Sequence, residues 1–196
     1  ITRIPTKVMA LDFHPNGESL LLGGADGRIY RWKFRTEVES SRKKELETTL
    51  QRYLGHSTVV SALRYHPFGR VFFSGDWNGG LNAWLGYDED PFKGRYERDV
   101  FPGPYYTMRS VRSRATGTEN DEVVALQVSK DGEWLAVIGN GGHLQLWQVR
   151  GLRLAADVEA HKGIVFDTAI RDDGKFMASV GRDGELKIWK IEPSQT

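Results

Sequence analysis

The sequence of 196 residues has no cysteine, only three methionines and seven prolines, and almost no net charge, since 27 lysines and arginines face 26 aspartates and glutamates. Each scarcity excludes something. Without cysteine there is no disulfide framework, no thiolate zinc finger and no thiol nucleophile. No run approaches the roughly 18 apolar residues that cross a bilayer, and no signal peptide opens the sequence. We therefore expect no membrane partner, and an intracellular protein of the cytoplasm or nucleus. The formal charge of +1 argues against wholesale binding of polyanions but leaves room for a local basic patch. At 39% hydrophobic and 27% charged residues, the composition is that of a globular chain and not of a disordered tail. The chain opens on Ile1 without an initiator methionine, from which we expect a fragment of something longer.

What is abundant is glycine, with 22 residues, and tryptophan, with 6. Their spacing is periodic. Gly17, Gly69, Gly132 and Gly174 each lie 15 residues before a tryptophan, namely Trp32, Trp84, Trp147 and Trp189. Aligned on those glycines, the four units also share a valine (Val8, Val60, Val123, Val165) and a second glycine (Gly27, Gly79, Gly142, Gly184). A fixed period of this kind marks a repeat architecture. Within each unit an apolar stretch leads into a turn written HPNG, HPFG, SKDG or RDDG, where glycine supplies positive φ. A second strand follows, then a tight corner, then a third strand carrying the tryptophan. A fourth strand is predicted over Thr48 to Tyr53, within Val100 to Val111, and over Leu152 to Glu159, with none in the last unit.

This pattern resembles the WD40 β-propeller. The resemblance implies an all-β fold, four blades of a propeller that is either larger, with seven blades, or completed by a partner. Blade one is expected at about 6–54 with an insertion at 35–47, and blade two at about 55–111 with an insertion at 86–118 that runs on to the next blade. Blade three is expected at about 119–159 and blade four at about 160–192. In that family a His, a Ser or Thr, an Asp and the Trp form a buried hydrogen-bond chain in each blade. Unit four matches throughout, with His161, Ser179, Asp183 and Trp189. Unit two has His56, Ser74 and Trp84, with Asn78 where Asp is usual. Unit one keeps Asp26 and Trp32, and unit three only Trp147, so these two blades are expected to be held mainly by packing.

Ser, His and Asp are also the inventory of a hydrolase triad, but no GxSxG elbow is present and the resemblance directs the serine toward a buried tryptophan. No metal-ligand spacing, Walker motif or dinucleotide fingerprint occurs. We expect no catalytic residue, no metal and no cofactor. The resemblance implies a non-enzymatic scaffold for protein–protein interaction, its partners being other protein subunits and the remaining blades, from the same longer chain or another subunit. Corner residues Trp77 and Arg182 are candidate contacts there, since Trp and Arg are enriched at binding hot spots.

The second insertion offers an alternative. Between Lys93 and Thr118 it carries six basic residues against Glu97 and Asp99, a local charge of +4 that leaves the remaining chain near −3. Tyr105, Tyr106, Arg109, Arg112 and Arg114 are candidate partner contacts, either with protein or with RNA through phosphate pairing and base stacking. If residues 93–118 bind RNA, changing Arg109, Arg112 and Arg114 to Ala weakens filter binding and lowers the salt slope by about 2. Absence of RNA binding by the unaltered chain would sink that reading.

Overall fold

In the computed structural model, residues 3–34, 48–86, 100–101, 106–108 and 121–192 are described. Alternating apolar stretches closed by glycine turns fold as antiparallel strands, and no helix occurs among the described residues. Blade one holds β1 (Val8–Phe13), β2 (Ser19–Gly24), β3 (Arg28–Phe34) and β4 (Thr48–Leu54). Blade two holds β5 (Val60–Tyr65), β6 (Val71–Asp76) and β7 (Leu81–Leu85); two short strands, β8 (Val100–Phe101) and β9 (Tyr106–Met108), follow. Blade three is β10 (Val123–Val128), β11 (Trp134–Gly139), β12 (His143–Gln148) and β13 (Arg153–Glu159). Blade four is β14 (Val165–Ile170), β15 (Phe176–Gly181) and β16 (Leu186–Lys190), three strands among the described residues where the others have at least four. The sheets are therefore blades of a propeller that is not closed in this chain.

One pairing departs from the repeat. β9 is the outer strand of blade two, but β8 lies parallel on β4 of blade one, pairing Val100 with Arg52 and Phe101 with Tyr53. The second insertion thus crosses back over the boundary and gives blade one a fifth strand. Its base is gripped from the same side, because the fully buried Arg31 of β3 donates from Nη1 to Gly86 O at 3.1 Å. The insertion expected at 35–47 lies outside the described residues.

The core is divided among the boundaries between blades. Leu21, Ile29 and Tyr53 of blade one pack with Val60, Leu63, Tyr65, Phe72 and Trp84 of blade two. Phe73, Leu81 and Ala83 of blade two pack with Val123, Leu126, Leu135 and Trp147 of blade three. Ala136, Leu144 and Leu146 of blade three meet Ala160, Met177 and Ile191 of blade four. A twisted sheet cannot bury two apolar faces by itself, so each blade uses its neighbours.

The repeated valine has a seat. A Cβ on Gly23 would stand 2.8 Å from Val60 O, and a Cβ on Gly75 would collide with the Val123 side chain. In all four blades the register slips immediately after this valine, a β-bulge that turns the first strand into the boundary. Val60, Val123 and Val165 are fully buried, whereas Val8, with no blade before it in this structure, is 39% exposed. The opposite end shows the same contrast. Leu186 is 66% exposed, while its equivalents Ile29, Leu81 and Leu144 are buried under the following blade.

Gly75→Ala should therefore destabilise the chain by about 2 kcal/mol through overpacking, measured by denaturant unfolding. Combined with Val123→Ala, the two changes should cost less than their sum.

Candidate functional site

Tryptophan at the end of each third strand brings an indole N–H into the sheet, and a buried donor requires an acceptor. In blade four Trp189 Nε1 donates to Ser179 Oγ at 2.9 Å, and Ser179 Oγ lies 2.8 Å from His161 Nε2. His161 Nδ1 is 2.9 Å from Asp183 Oδ1, and Asp183 also accepts the amides of Lys162 and Glu185. The donors run in one direction. The indole donates to the hydroxyl, the hydroxyl to Nε2, and Nδ1–H to the carboxylate, so a single tautomer satisfies the chain. Ser179 and His161 are each 1% exposed, which removes the hydroxyl from any substrate in this conformation. Burial pushes the Asp183 carboxyl up, but the hydrogen bond from His161, with those from the two amides, outweighs it and brings it down to about 2.

Blade two repeats the chain with one change. Trp84 Nε1 donates to Ser74 Oγ at 2.6 Å, Ser74 Oγ meets His56 Nε2 at 2.6 Å, and His56 Nδ1 meets a carboxylate at 2.8 Å. That carboxylate is Asp76, which corrects the assignment to Asn78. Asp76 folds back from the end of β6 and accepts the backbone amides of Asn78 at 2.9 Å and Gly80 at 2.7 Å. Gly80 makes this possible, since a Cβ there would lie 2.6 Å from Asp76 Oδ2. Burial raises the Asp76 carboxyl, and the His56 contact together with the amides of Gly80 and Asn78 outweighs it, leaving it below its usual range. An Asp beside a Gly-Gly corner was the available signal, and fixed repeat spacing concealed it.

Blades one and three, expected to be held mainly by packing, also carry polar sets of their own. In blade three Trp147 Nε1 donates to Gln145 Oε1 at 3.0 Å, and Gln145 Nε2 donates to Asp157 Oδ2 at 3.2 Å. His143 Nδ1 stands 3.5 Å from Asp157 Oδ1. The corner has Gly141 in place of Asp, and the preceding loop supplies the carboxylate instead, Asp121 Oδ1 accepting Gly141 N at 2.6 Å. Burial holds the Asp121 carboxyl above its ordinary range, and burial together with Asp121 does the same to Glu122. In blade one Asp26 accepts from Tyr30 OH at 2.7 Å, and buried Arg31 donates from Nε to Ser19 Oγ at 3.2 Å. Trp32, half-buried, pairs with Leu20 and Leu50 across its sheet.

These networks shape one rim of the arc. Each corner after a second strand is tied to the loop entering its own blade, through Ala25 N to Lys7 O, Trp77 N to Val59 O, Asn140 N to Glu122 O and Arg182 N to Ile164 O, all at 2.8 to 3.1 Å. Two candidate contacts lie on this rim, Trp77 at 47% exposure and Arg182 also exposed. Tyr106 lies on β9, which serves as sheet edge. Tyr105, Arg109, Arg112 and Arg114 lie outside the described residues.

One three-donor group exists among the described residues, His161 with Asp183 and Glu185, its atoms within 4.8 Å of one another. His161 Nδ1 already donates to Asp183, and Asp183 accepts two amides, so this geometry is spent on the fold.

Comparison with known proteins follows the same outline. The family model described as "WD domain, G-beta repeat" matches residues 3–33, 47–84 and 153–190. The unmatched stretch between the last two includes the first three strands of blade three, where Gly141 stands in for the corner Asp. A chromatin assembly factor 1 subunit FAS2 homolog of Oryza sativa subsp. japonica is 34% identical over 83 residues, 42% of this chain and 16% of that protein. The serine-threonine kinase receptor-associated protein of Gallus gallus is 29% identical over 80 residues, 41% of this chain and 20% of its own length. Protein hir1 of Schizosaccharomyces pombe is 26% identical over 173 residues, 83% of this chain and 18% of that protein. The chain thus spans a fifth or less of these relatives.

Two outcomes follow for blade four. His161→Ala leaves Ser179 and Asp183 without their buried partner and should lower stability by about 1 to 3 kcal/mol in denaturant unfolding. Because the Asp183 carboxyl sits near 2 in the folded chain against an ordinary 3.8, its stabilisation is complete above pH 5 and is lost as pH falls from about 4 toward 2. Asp183→Asn should flatten acid unfolding over that window.

Proposed function

The chain belongs to the WD40 repeat family, and from that premise we propose that it is a non-enzymatic scaffold for protein–protein contact in an intracellular multiprotein assembly. The observation that carries this reading is the exposed Trp77 at a corner whose backbone is held on both sides. Its amide is bonded to Val59, and the next carboxylate, Asp76, is locked to His56. An aromatic side chain left in water on a rigid mount gives contact area at small cost in conformational entropy. Arg182 occupies the equivalent corner two blades on. The names of two relatives, a chromatin assembly factor 1 subunit homolog and a serine-threonine kinase receptor-associated protein, support the same reading.

The two end faces of the arc have a different partner. Val8, Leu11 and Phe13 on β1, and Val180, Leu186 and Ile188 on blade four, form exposed apolar faces at positions that the neighbouring blade covers elsewhere in the chain. Gly17 has open space where Gly69, Gly132 and Gly174 meet a side chain from the preceding blade. Further blades of the same kind, from the same longer protein or another subunit, fit both ends.

Trp77→Ala and Arg182→Ala, introduced into the full-length protein, should each reduce the amount of co-purifying subunits by about tenfold or more while leaving the circular dichroism spectrum unchanged. Full retention of those subunits by both variants would overturn the placement of the docking rim.

A further inference from the structure

His14 and His66 belong neither to the buried networks nor to the corner rim. Each opens a His-Pro turn between the first and second strands, at the opposite end of the sheet from the corners. The turns close in the same way, Gly17 N donating to His14 O and Gly69 N to His66 O, both at 2.8 Å. Each ring is then held by the residue after its proline. The Phe68 amide donates to His66 Nδ1 at 3.2 Å, and Asn16 brackets His14 Nδ1 with its amide at 3.2 Å and its side-chain Oδ1 at 2.5 Å.

The other ring nitrogen points at the next blade. His14 Nε2 lies 3.3 Å from Gly69 O, and His66 Nε2 lies 3.1 Å from Gly132 O. A carbonyl oxygen only accepts, so Nε2 is the donor in both contacts; His66 Nδ1 then takes the Phe68 amide, whereas His14 Nδ1 also faces an acceptor, Asn16 Oδ1. The receiving residue is glycine for a steric reason besides its φ, since a Cβ on Gly69 or Gly132 would collide with the incoming imidazole. His14 also stands edge-on to Tyr65 with centroids 4.8 Å apart.

The third boundary is built differently. Blade three's turn is Ser-Lys-Asp-Gly, and on this rim the reach to blade four is the Lys130–Asp172 ion pair at 2.8 Å, with side chains 72% and 79% exposed. Exposed pairs of this kind contribute little and are screened by salt. The inner strands show the same contrast. Asp12 Oδ2 accepts Tyr65 N at 2.6 Å between blades one and two, while Ser61 Oγ donates to Val123 O at 2.6 Å and Arg64 Nε to Leu126 O at 3.1 Å between two and three. Among the described residues no such hydrogen bond joins β10 to β14. Thr168 of β14 replaces the leucine found in the other blades, and its buried Oγ1 has no hydrogen-bond partner among the described residues. Besides the Gly142 carbonyl, which accepts the amides of Ala160 and His161 where the chain enters blade four, apolar contacts around Met177 hold this boundary.

We propose that the two His-Pro turns are latches between blades, fusing blades one to three into one stiff body, and that the boundary between blades three and four is the joint at which the arc flexes. Trp77 and Arg182 stand on opposite sides of that joint, so its motion changes the distance between them. The latch itself does not depend on those residues docking a partner.

Two measurements on the full chain test this. Long-range 15N–1H correlation of the histidine rings should show a proton on Nε2 of His14 and His66; a deprotonated Nε2 on either ring overturns the latch. In hydrogen exchange, β14 should exchange at least tenfold faster than β5 and β10, the other first strands buried between blades, and equal protection overturns the joint. His66→Ala should raise exchange across Val123–Val128 at least tenfold while leaving Val165–Ile170 within twofold, and Lys130→Ala should change neither. His66→Gln, whose side-chain amide can donate to Gly132 O, should recover most of the protection. Unchanged exchange of β10 in His66→Ala would refute the proposal.

Discussion

The contact on which the architecture rests is a valine of one blade seated on a glycine of the blade before it. Val60 on Gly23 and Val123 on Gly75 bring two sheets close enough for Tyr53, Phe72 and Trp84, or Leu81, Leu135 and Trp147, to close around the boundary. Each blade is a thin sheet with an apolar surface on both sides, and burial is achieved only in the company of neighbours. The β-bulge after each valine and the exposure of Leu186 where no neighbour follows are consequences of that one constraint.

Inside the blades a second constraint operates, the need to satisfy an indole N–H away from water. Blades two and four meet it with the same serine and histidine but take the carboxylate from different places in the chain, Asp76 and Asp183. Blade three substitutes a glutamine backed by Asp157. What the fold requires is an acceptor at the right point and a full set of partners behind it, because a half-satisfied buried network costs more than it contributes. Sequence identity at each position is secondary, which is how a repeat can diverge while its sheet does not.

This explains what was legible beforehand. Glycine and tryptophan at fixed spacing revealed the strands, the corners and the four sheets, since turn geometry and pleat alternation are local properties. His161, Ser179, Asp183 and Trp189 were named through the WD40 resemblance, whose motif positions recur in step with the repeat. Asp76 could not be named this way, because a side chain that folds back by two residues leaves the strand spacing and takes its meaning from the amides of Asn78 and Gly80. Gln145 and Asp157 were hidden for a related reason: Asp157 sits on the fourth strand, which carries no motif residue. The pairing of β8 with blade one was equally out of reach, as a two-residue strand has no periodicity.

By itself, then, the sequence determined an all-β repeat with four blades, the absence of thiol chemistry, and the turns at which glycine must adopt positive φ. These depend on backbone sterics within a few residues of each other. Tertiary structure decided which carboxylate meets which histidine, that the imidazoles of the His-Pro turns reach the next blade, and that Arg31 grips the base of an insertion 55 residues away. Those outcomes depend on how two sheets twist and stack, and stacking is set by the shapes of both surfaces together.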